Sequence, residues 1–449
     1  MRPFFSLLLA ASLLLSPFAE AKSVALNPAN LRQMVVYNNI GVLQSLNKVH
    51  QAKDRVMIAR GNLLPRLDLG ASIGALTGGP AFLLSAITVM LPFLVPANWA
   101  NLHENASLLE AQKVSYRLVQ LNQYASAYSL YATVLTDIGI REVVVAQYND
   151  WVKVRNWLRD QQDFVGNVPQ IDIDQAEAQV QTAYGDIAKM DELLLTEKSS
   201  LKEMLSLGMA DTLTLDPQHT PASASESLSL DKVLAKVQAV SPEATQIQHL
   251  YKAAQAARWG KVFGFFNSAG MSIVSGGSAL DHLGVAGGFS IGFDYVPNIQ
   301  LANDNINEIR LRFQELKLQQ QQLVEATVGS IAEAKRQITA YAEAERLREG
   351  VVQSEFVRYT LGLTDLLHVF EAERQVAQAR ATRLRAEFDL DALRITLHRA
   401  LLTDQFSSIP GCRIRPEAEE KDRKWLGRLF NPSKYTISID EACRPADQG

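Results

Sequence analysis

Residues 358–376 read RYTLGLTDLLHVFEAERQV, and they lie between two long amphipathic segments. A glycine just past a helix, followed by a Thr or Asp that can cap the next helix, is typical of a turn between two helices. Gly362 is therefore predicted to end one helix, with Thr364 and Asp365 near the start of the next.

This pattern has a counterpart 196 residues earlier, where residues 164–180 read FVGNVPQIDIDQAEAQV. When Gly166 is placed on Gly362, an Ala-Glu pair and a Gln-Val pair fall at the same offsets in both stretches. The chain is therefore predicted to be a tandem duplication in which the two glycine turns are equivalent.

Each predicted repeat contains a helix, a strand hairpin, a very long helix, a glycine turn and a returning helix. The long helix of the first repeat, from residue 97 to about 164, contains no proline and would be about 100 Å long. A helix of that length needs partner helices along its course. The predicted boundaries are a first repeat at 22–209 with strands at about 65–76 and 81–95, a polar linker at 210–227, a second repeat at 228–403 with strands at about 261–274 and 284–295, and a tail at 404–449.

The four predicted strands alternate between apolar residues and small or polar ones. This alternation is typical of a transmembrane barrel, in which one face meets lipid and the other faces the lumen. About eight strands are needed to close a barrel, so several chains would have to contribute. The alternative is a soluble four-stranded sheet, which would leave its apolar face uncovered.

The ends of the chain indicate export. Residues 1–21 are predicted to be a signal peptide: Arg2 precedes an apolar run, and a small-x-small cleavage site ends at Ala21. The alternative, a membrane anchor, is disfavoured because the run is shorter than the roughly 20 residues that span a bilayer. In an exported chain Cys412 and Cys443 can form a disulfide, although two free thiols in the tail are the alternative.

Composition and motifs argue against several classes of protein. A formal net charge of −4 is unlike the basic surface of a nucleic-acid binder. We find no Gly-rich phosphate loop, no nucleophile elbow and no His/Cys cluster with metal-ligand spacing. We therefore expect no enzyme activity, no cofactor and no metal site.

Residues 28–403 resemble the outer membrane efflux proteins, the TolC-like channel-tunnels. The resemblance depends on the duplicated order of elements, the Val-Pro pairs before both long helices and the two glycine turns. It implies a mainly α fold with a β-barrel portion, in a homotrimer whose twelve strands form one barrel in the lipid of the cell outer membrane. It also implies a helical tunnel through the periplasm, docked at the turns of Gly166 and Gly362 on a periplasmic adaptor protein and an inner-membrane pump or ABC exporter. The cargo would be small molecules or proteins.

The resemblance also implies a periplasmic gate near the turns. The Asp and Tyr of the family's gate correspond to Asp172 and Tyr359, whereas the family's Arg is replaced by Thr364. The neighbouring Arg358 is a possible substitute for that arginine. The alternative is that Asp172 only caps its helix and Tyr359 only packs.

Two acidic rings of the family's pore constriction correspond to His368 and Glu371. A ring of three Glu371 side chains would favour cations, and a ring of three His368 side chains could add positive charge as the periplasm acidifies. The alternative is that His368 packs without affecting conduction. A competing interpretation of the whole chain is an exported coiled-coil scaffold or surface adhesin without channel activity.

Overall fold

The computed structural model describes residues 23–64, 92–166, 168–263, 295–410, 412–414 and 443–444, and most of these residues are helical. The helices are α1 Pro28–Asn38, α2 Ile40–Gly61, α3 Pro96–Val165, α4 Gln170–Met204, α5 Leu230–Val240, α6 Pro242–Val262, α7 Tyr295–Thr360 and α8 Leu366–Leu401. The strands are β1 Ser23–Leu26, β2 Thr212–Leu215, β3 Arg413–Ile414 and β4 Cys443–Arg444. None of the helices in these ranges is long and apolar enough to cross a membrane.

The predicted barrel strands fall mainly on residues outside the described ranges. This applies to the strand at 65–76 and to most of those at 81–95, 261–274 and 284–295. Their predicted margins are corrected by the structure: Pro92–Leu94 form a 3₁₀ turn, α6 continues to Val262, and α7 already begins at Tyr295. Proline favours the first turn of a helix because its fixed φ is already helical, which accounts for the turn at Pro92.

The sequence pattern predicts that the first helix of each repeat runs unbroken, over about residues 30–62 and 228–259, but each is broken once in the structure. The segment from residue 30 to 62 is interrupted at Asn39, whose side-chain Nδ2 donates a hydrogen bond to the carbonyl of Met204 at 2.8 Å. The segment from 228 to 259 is interrupted at Ser241, whose Oγ accepts the N–H of Ala244 at 3.2 Å and caps α6. The residue after this cap is Pro242, which cannot continue the preceding helix.

The predicted linker at 210–227 is more ordered than its polar composition indicates. It contains β2, which pairs in parallel with β1 from Ser23 opposite Thr212 to Leu26 opposite Leu215. A run of four residues, Thr-Leu-Thr-Leu, is too short for its alternation to be distinguished from a loop.

The described residues divide into two compact units that combine segments of both predicted repeats. Unit 1 comprises the residues up to 39 together with 124–222 and 330–395, and unit 2 comprises 40–123, 223–329 and the residues from 396.

In unit 1, buried tyrosines of α3 hold the neighbouring segments. The hydroxyl of Tyr124 donates to the carbonyl of Pro28 at 3.2 Å, and the hydroxyl of Tyr131 donates to the carbonyl of Asp216. The first contact fixes the start of α1 and the second fixes the end of β2. Both tyrosine side chains are fully buried.

In unit 2, part of the core is formed by α2, α3 and the segment after α8. The buried cluster consists of Val42, Leu46, Val49, Tyr116 and Cys412. Cys412 is disulfide-bonded, and Cys443 is the only other cysteine of the sequence. The short β3–β4 pair places Ile414 opposite Cys443.

Candidate functional site at the helix turns

Both predicted turns have a glycine in the left-handed backbone conformation, with φ +71° at Gly166 and φ +73° at Gly362. The N–H of Gly362 donates to the carbonyl of Tyr359 and the N–H of Leu363 donates to that of Arg358, each at 2.9 Å. This pair of hydrogen bonds is a Schellman motif, which satisfies the last carbonyls of α7. Gly166 instead donates to the carbonyl of Gln162 at 3.0 Å. Both turns therefore require a residue without a Cβ penalty at positive φ.

An aromatic and aliphatic cluster of unit 1 packs α3 and α4 against α8 next to the turns. Its buried members are Trp151, Leu158, Ile173, Ala176, Val180, Ala183, Leu366 and Phe370. Trp151 meets Phe370 edge-on with ring centroids 6.0 Å apart, and Trp157 meets Tyr359 edge-on at 6.2 Å. Sequence reasoning missed both tryptophans because their helical spacing is indistinguishable from ordinary core packing.

The structure brings the two predicted gate residues Asp172 and Tyr359 together. The hydroxyl of Tyr359, at the end of α7, donates a hydrogen bond to Oδ2 of Asp172, in the first turn of α4, at 2.9 Å. Burial and, secondarily, this hydrogen bond raise the pKa of Tyr359, so the hydroxyl remains a donor. Asp172 is not the N-cap residue of α4; that position is held by Pro169, which makes no side-chain capping hydrogen bond. The carboxylate of Asp172 instead accepts a hydrogen bond from a tyrosine of another helix.

Within the part of the chain that the structure describes, no arginine side chain bonds to Asp172 or Tyr359. Thr364 is half-buried immediately before α8. The guanidinium of Arg358 donates to Oε1 of Glu355 at 2.8 Å, on its own helix. The substitute suggested for the family's arginine is therefore engaged with a neighbour on α7.

Ion pairs connect the two helices on either side of each glycine turn, so that α3 and α4 form one helical hairpin and α7 and α8 form a second. Between α3 and α4, Oε2 of Glu177 lies 3.2 Å from Nη1 of Arg155 and 3.1 Å from Nη2 of Arg159. The pKa of Glu177 is lowered, first by a hydrogen bond from Gln181 and then by these arginines.

The second hairpin has an equivalent set of ion pairs. Between α7 and α8, Arg380 reaches Glu345 at 3.1 Å and Glu349 at 2.5 Å, while Arg383 reaches Glu345 at 2.7 Å. Side-chain hydrogen bonds to these glutamates raise the pKa of both arginines, so they stay charged. Both hairpins are thus joined by arginine–carboxylate contacts that sequence reasoning had not identified.

The two predicted constriction residues lie one turn apart on α8. His368 is exposed and Glu371 is half-buried. The carboxylate of Glu371 accepts hydrogen bonds from Nε of Arg374 at 3.0 Å and from its Nη2 at 2.8 Å. Nη2 of Arg374 also lies 2.7 Å from Oε2, and Gln375 donates a further hydrogen bond at 3.2 Å. The pKa of Glu371 is lowered, chiefly by the hydrogen bond from Arg374.

Large apolar side chains are exposed at both turns. Phe164 is 88% exposed beside Gly166, and Leu361 and Leu363, which flank Gly362, are each 66% exposed. Contiguous apolar patches are typical of surfaces that meet another molecule, whereas single exposed apolar side chains are common on any protein. In the described part of the chain no group of three or more His, Cys, Asp and Glu side chains is placed to hold a metal ion.

Comparison with known proteins shows the fold but no close relative. No family model matches the sequence, and no curated protein matches it. Among solved structures, the outer membrane protein VceC from Vibrio cholerae matches with a TM-score of 0.64 at 14% identity, covering 83% of this chain and 95% of VceC. The outer-membrane channel OprN matches with a TM-score of 0.64 at 12% identity over 84% of this chain and 90% of OprN. The CmeC outer membrane channel from Campylobacter jejuni matches with a TM-score of 0.58 at 14% identity over 88% of this chain and 93% of CmeC.

These matches extend over 90% or more of the length of the known channels. At such low identity they establish the fold. The chain therefore has the fold of outer-membrane channels of the TolC-like type, as the resemblance in its sequence predicted.

Proposed function

We propose that this protein is an outer-membrane channel-tunnel that carries small molecules or proteins outward across the periplasm and the outer membrane, and that it is not an enzyme. The observation that carries the proposal is the match to outer-membrane channels over more than four fifths of this chain and at least nine tenths of each channel. The machine it serves is either a tripartite efflux pump or a type I secretion system.

The assembly in this proposal is a homotrimer. The two predicted hairpins would supply four strands per chain, and three chains would supply twelve, which is enough to close a barrel in the outer-membrane lipid. The long helices α3 and α7 with their returning partners α4 and α8 would form the periplasmic tunnel.

The turns are the proposed docking point for a periplasmic adaptor protein, which in turn meets an inner-membrane pump or ABC exporter. The exposed Phe164, Leu361 and Leu363 support this assignment because they place apolar side chains at the two glycine turns. The neighbouring bond between Tyr359 and Asp172 is the proposed closed-state contact of the gate. His368, which is exposed, and Glu371, which is half-buried, are assigned to the pore constriction.

The proposal is tested with the purified protein from an outer-membrane fraction. A channel-tunnel should migrate as a heat-resistant trimer and should produce single-channel currents in planar lipid bilayers. A soluble periplasmic monomer without conductance would refute the proposal and would favour the scaffold or adhesin.

A further inference from the structure

We propose that Arg374 neutralises Glu371 at the pore constriction, so that this channel passes cations and anions with little charge preference. The inference rests on the proposed function because it takes the exposed face of α8 as part of the lumen wall. It replaces the bare acidic ring expected from the sequence with a ring of ion pairs.

The ion pair between Arg374 and Glu371 is well defined. The guanidinium meets the carboxylate with two different nitrogens, Nε and Nη2, and the shortest distance between Nη2 and Oε2 is 2.7 Å. Such two-point contacts restrict orientation more than a single hydrogen bond does. Gln375 donates to Oε1 of the same carboxylate at 3.2 Å and holds it in place from the next turn.

The pair lies at the surface of α8, where a permeating ion could sense it. The side chain of Arg374 is 65% exposed and that of Glu371 is 45% exposed. Residues three apart on a helix are neighbours on its surface, so the guanidinium and the carboxylate share one exposed face of α8. His368 lies one turn before Glu371, on the side of Glu371 away from Arg374. Both charges of the pair would therefore act on an ion in the lumen.

The separation of the two charges decides the size of the effect. A single unit charge about 4 Å from an ion in water changes the local ion concentration about fivefold. The guanidinium, whose Nη2 lies 2.7 Å from Oε2, offsets most of that effect for an ion that passes at a similar distance from both groups. Residual fields from more distant charges are screened within about 10 Å at 0.1 M salt. The cationic preference expected for Glu371 alone should therefore be almost absent in the wild type.

The test is the reversal potential of the full-length trimer in planar bilayers across a tenfold KCl gradient. Glu371→Gln leaves the guanidinium uncompensated and should shift selectivity about threefold to fivefold toward chloride. Arg374→Gln should shift it by a similar factor toward potassium, whereas Arg374→Lys keeps the charge and should remain near the wild type. The double variant Glu371→Gln/Arg374→Gln should return to the wild-type reversal potential.

A matched control is Lys189→Gln, which removes the cation from another exposed pair spaced by three residues, the one with Asp186 on α4 at 3.0 Å. It should leave the reversal potential unchanged. An unchanged reversal potential in Arg374→Gln, or shifts of Glu371→Gln and Arg374→Gln in the same direction, would overturn the inference while leaving the channel function intact. A wild-type trimer that forms no channels at all would overturn the proposed function and, with it, this inference.

Discussion

Replacing Tyr359 by phenylalanine should favour the open state of the channel. The substitution deletes only the hydroxyl that donates to Asp172 at 2.9 Å. The ring is retained, so its edge-on contact with Trp157 at 6.2 Å is retained too. The variant therefore isolates the hydrogen bond from the packing of the aromatic cluster.

The magnitude follows from the setting of the hydrogen bond between Tyr359 and Asp172. A hydrogen bond to a charged group contributes about 1.5 to 3 kcal/mol, and the lower value applies because both side chains are only half-buried. About 1.4 kcal/mol corresponds to a tenfold change in an equilibrium constant. The equilibrium between closed and open conformations should therefore shift about tenfold per chain, provided that the bond is broken on opening.

The assay is the open probability of single trimers in planar bilayers, combined with a double-mutant cycle. Asp172→Ala should open the channel by a similar factor, and the double variant should add little, because both changes remove the same bond. Tyr184→Phe is the matched control, since Tyr184 is exposed on α4 and also packs on another ring, that of Tyr148 at 6.4 Å. An open probability that does not respond to Tyr359→Phe, or fully additive effects in the cycle, would refute the assignment of this bond to the gate.

Three further predictions concern stability, measured as thermal unfolding by circular dichroism. Gly362→Ala should lower the melting temperature by the equivalent of about 1 kcal/mol, because φ is +73° there; the added Cβ would meet nothing within 4 Å, so backbone strain is the only cost. Gly350→Ala, in the interior of α7, should instead raise the melting temperature. Equal effects of the two substitutions would contradict this reasoning. Burial and the neighbouring carboxyl of Asp137 raise the pKa of Glu197 to about 7, so its stabilising contribution is complete below the unfolded pKa of about 4.5 and is lost as the pH rises through 7; Glu197→Gln should reduce the decline in melting temperature between pH 5 and pH 8, and an unchanged slope would refute the assignment. Asp391→Ala should destabilise unit 1 by about 2 kcal/mol. The buried carboxylate of Asp391 accepts the N–H of Thr220 at 3.2 Å and lies 3.0 Å from Nδ1 of His219, and the substitution removes both contacts. A melting temperature within a degree of the wild type would show that these contacts are dispensable.

The helical architecture could be predicted from the sequence because its signals are local and strong. A stretch of about 70 residues with proline only at its start can form only a long helix, and the two glycines needed at positive φ mark where the helices end. Alignment of the two turns with the family's pattern also identified Asp172 and Tyr359, which meet in the structure.

Other features depend on partners that are distant in the sequence. Asn38, Asn39 and Gly41 are weak helix formers, but the hydrogen bond that Asn39 makes at the break goes to the carbonyl of Met204, which is 165 residues away. Arg374 was overlooked because an arginine three residues after a glutamate usually indicates only a solvated helix surface. Its effect becomes apparent only when the exposed face of α8 is considered as a whole.

The pairing of β1 with β2 has a consequence for the order of folding. The two strands are parallel and their partners are about 190 residues apart in the chain. Forming this small sheet closes a loop that contains the whole of α3 and α4, and contacts with such long sequence separation form slowly. We therefore expect the sheet to form late, after α4 has brought β2 back to Tyr131 of α3 and α1 has docked at Tyr124 of α3. Until then, β1 has an unpaired edge that another extended strand could occupy.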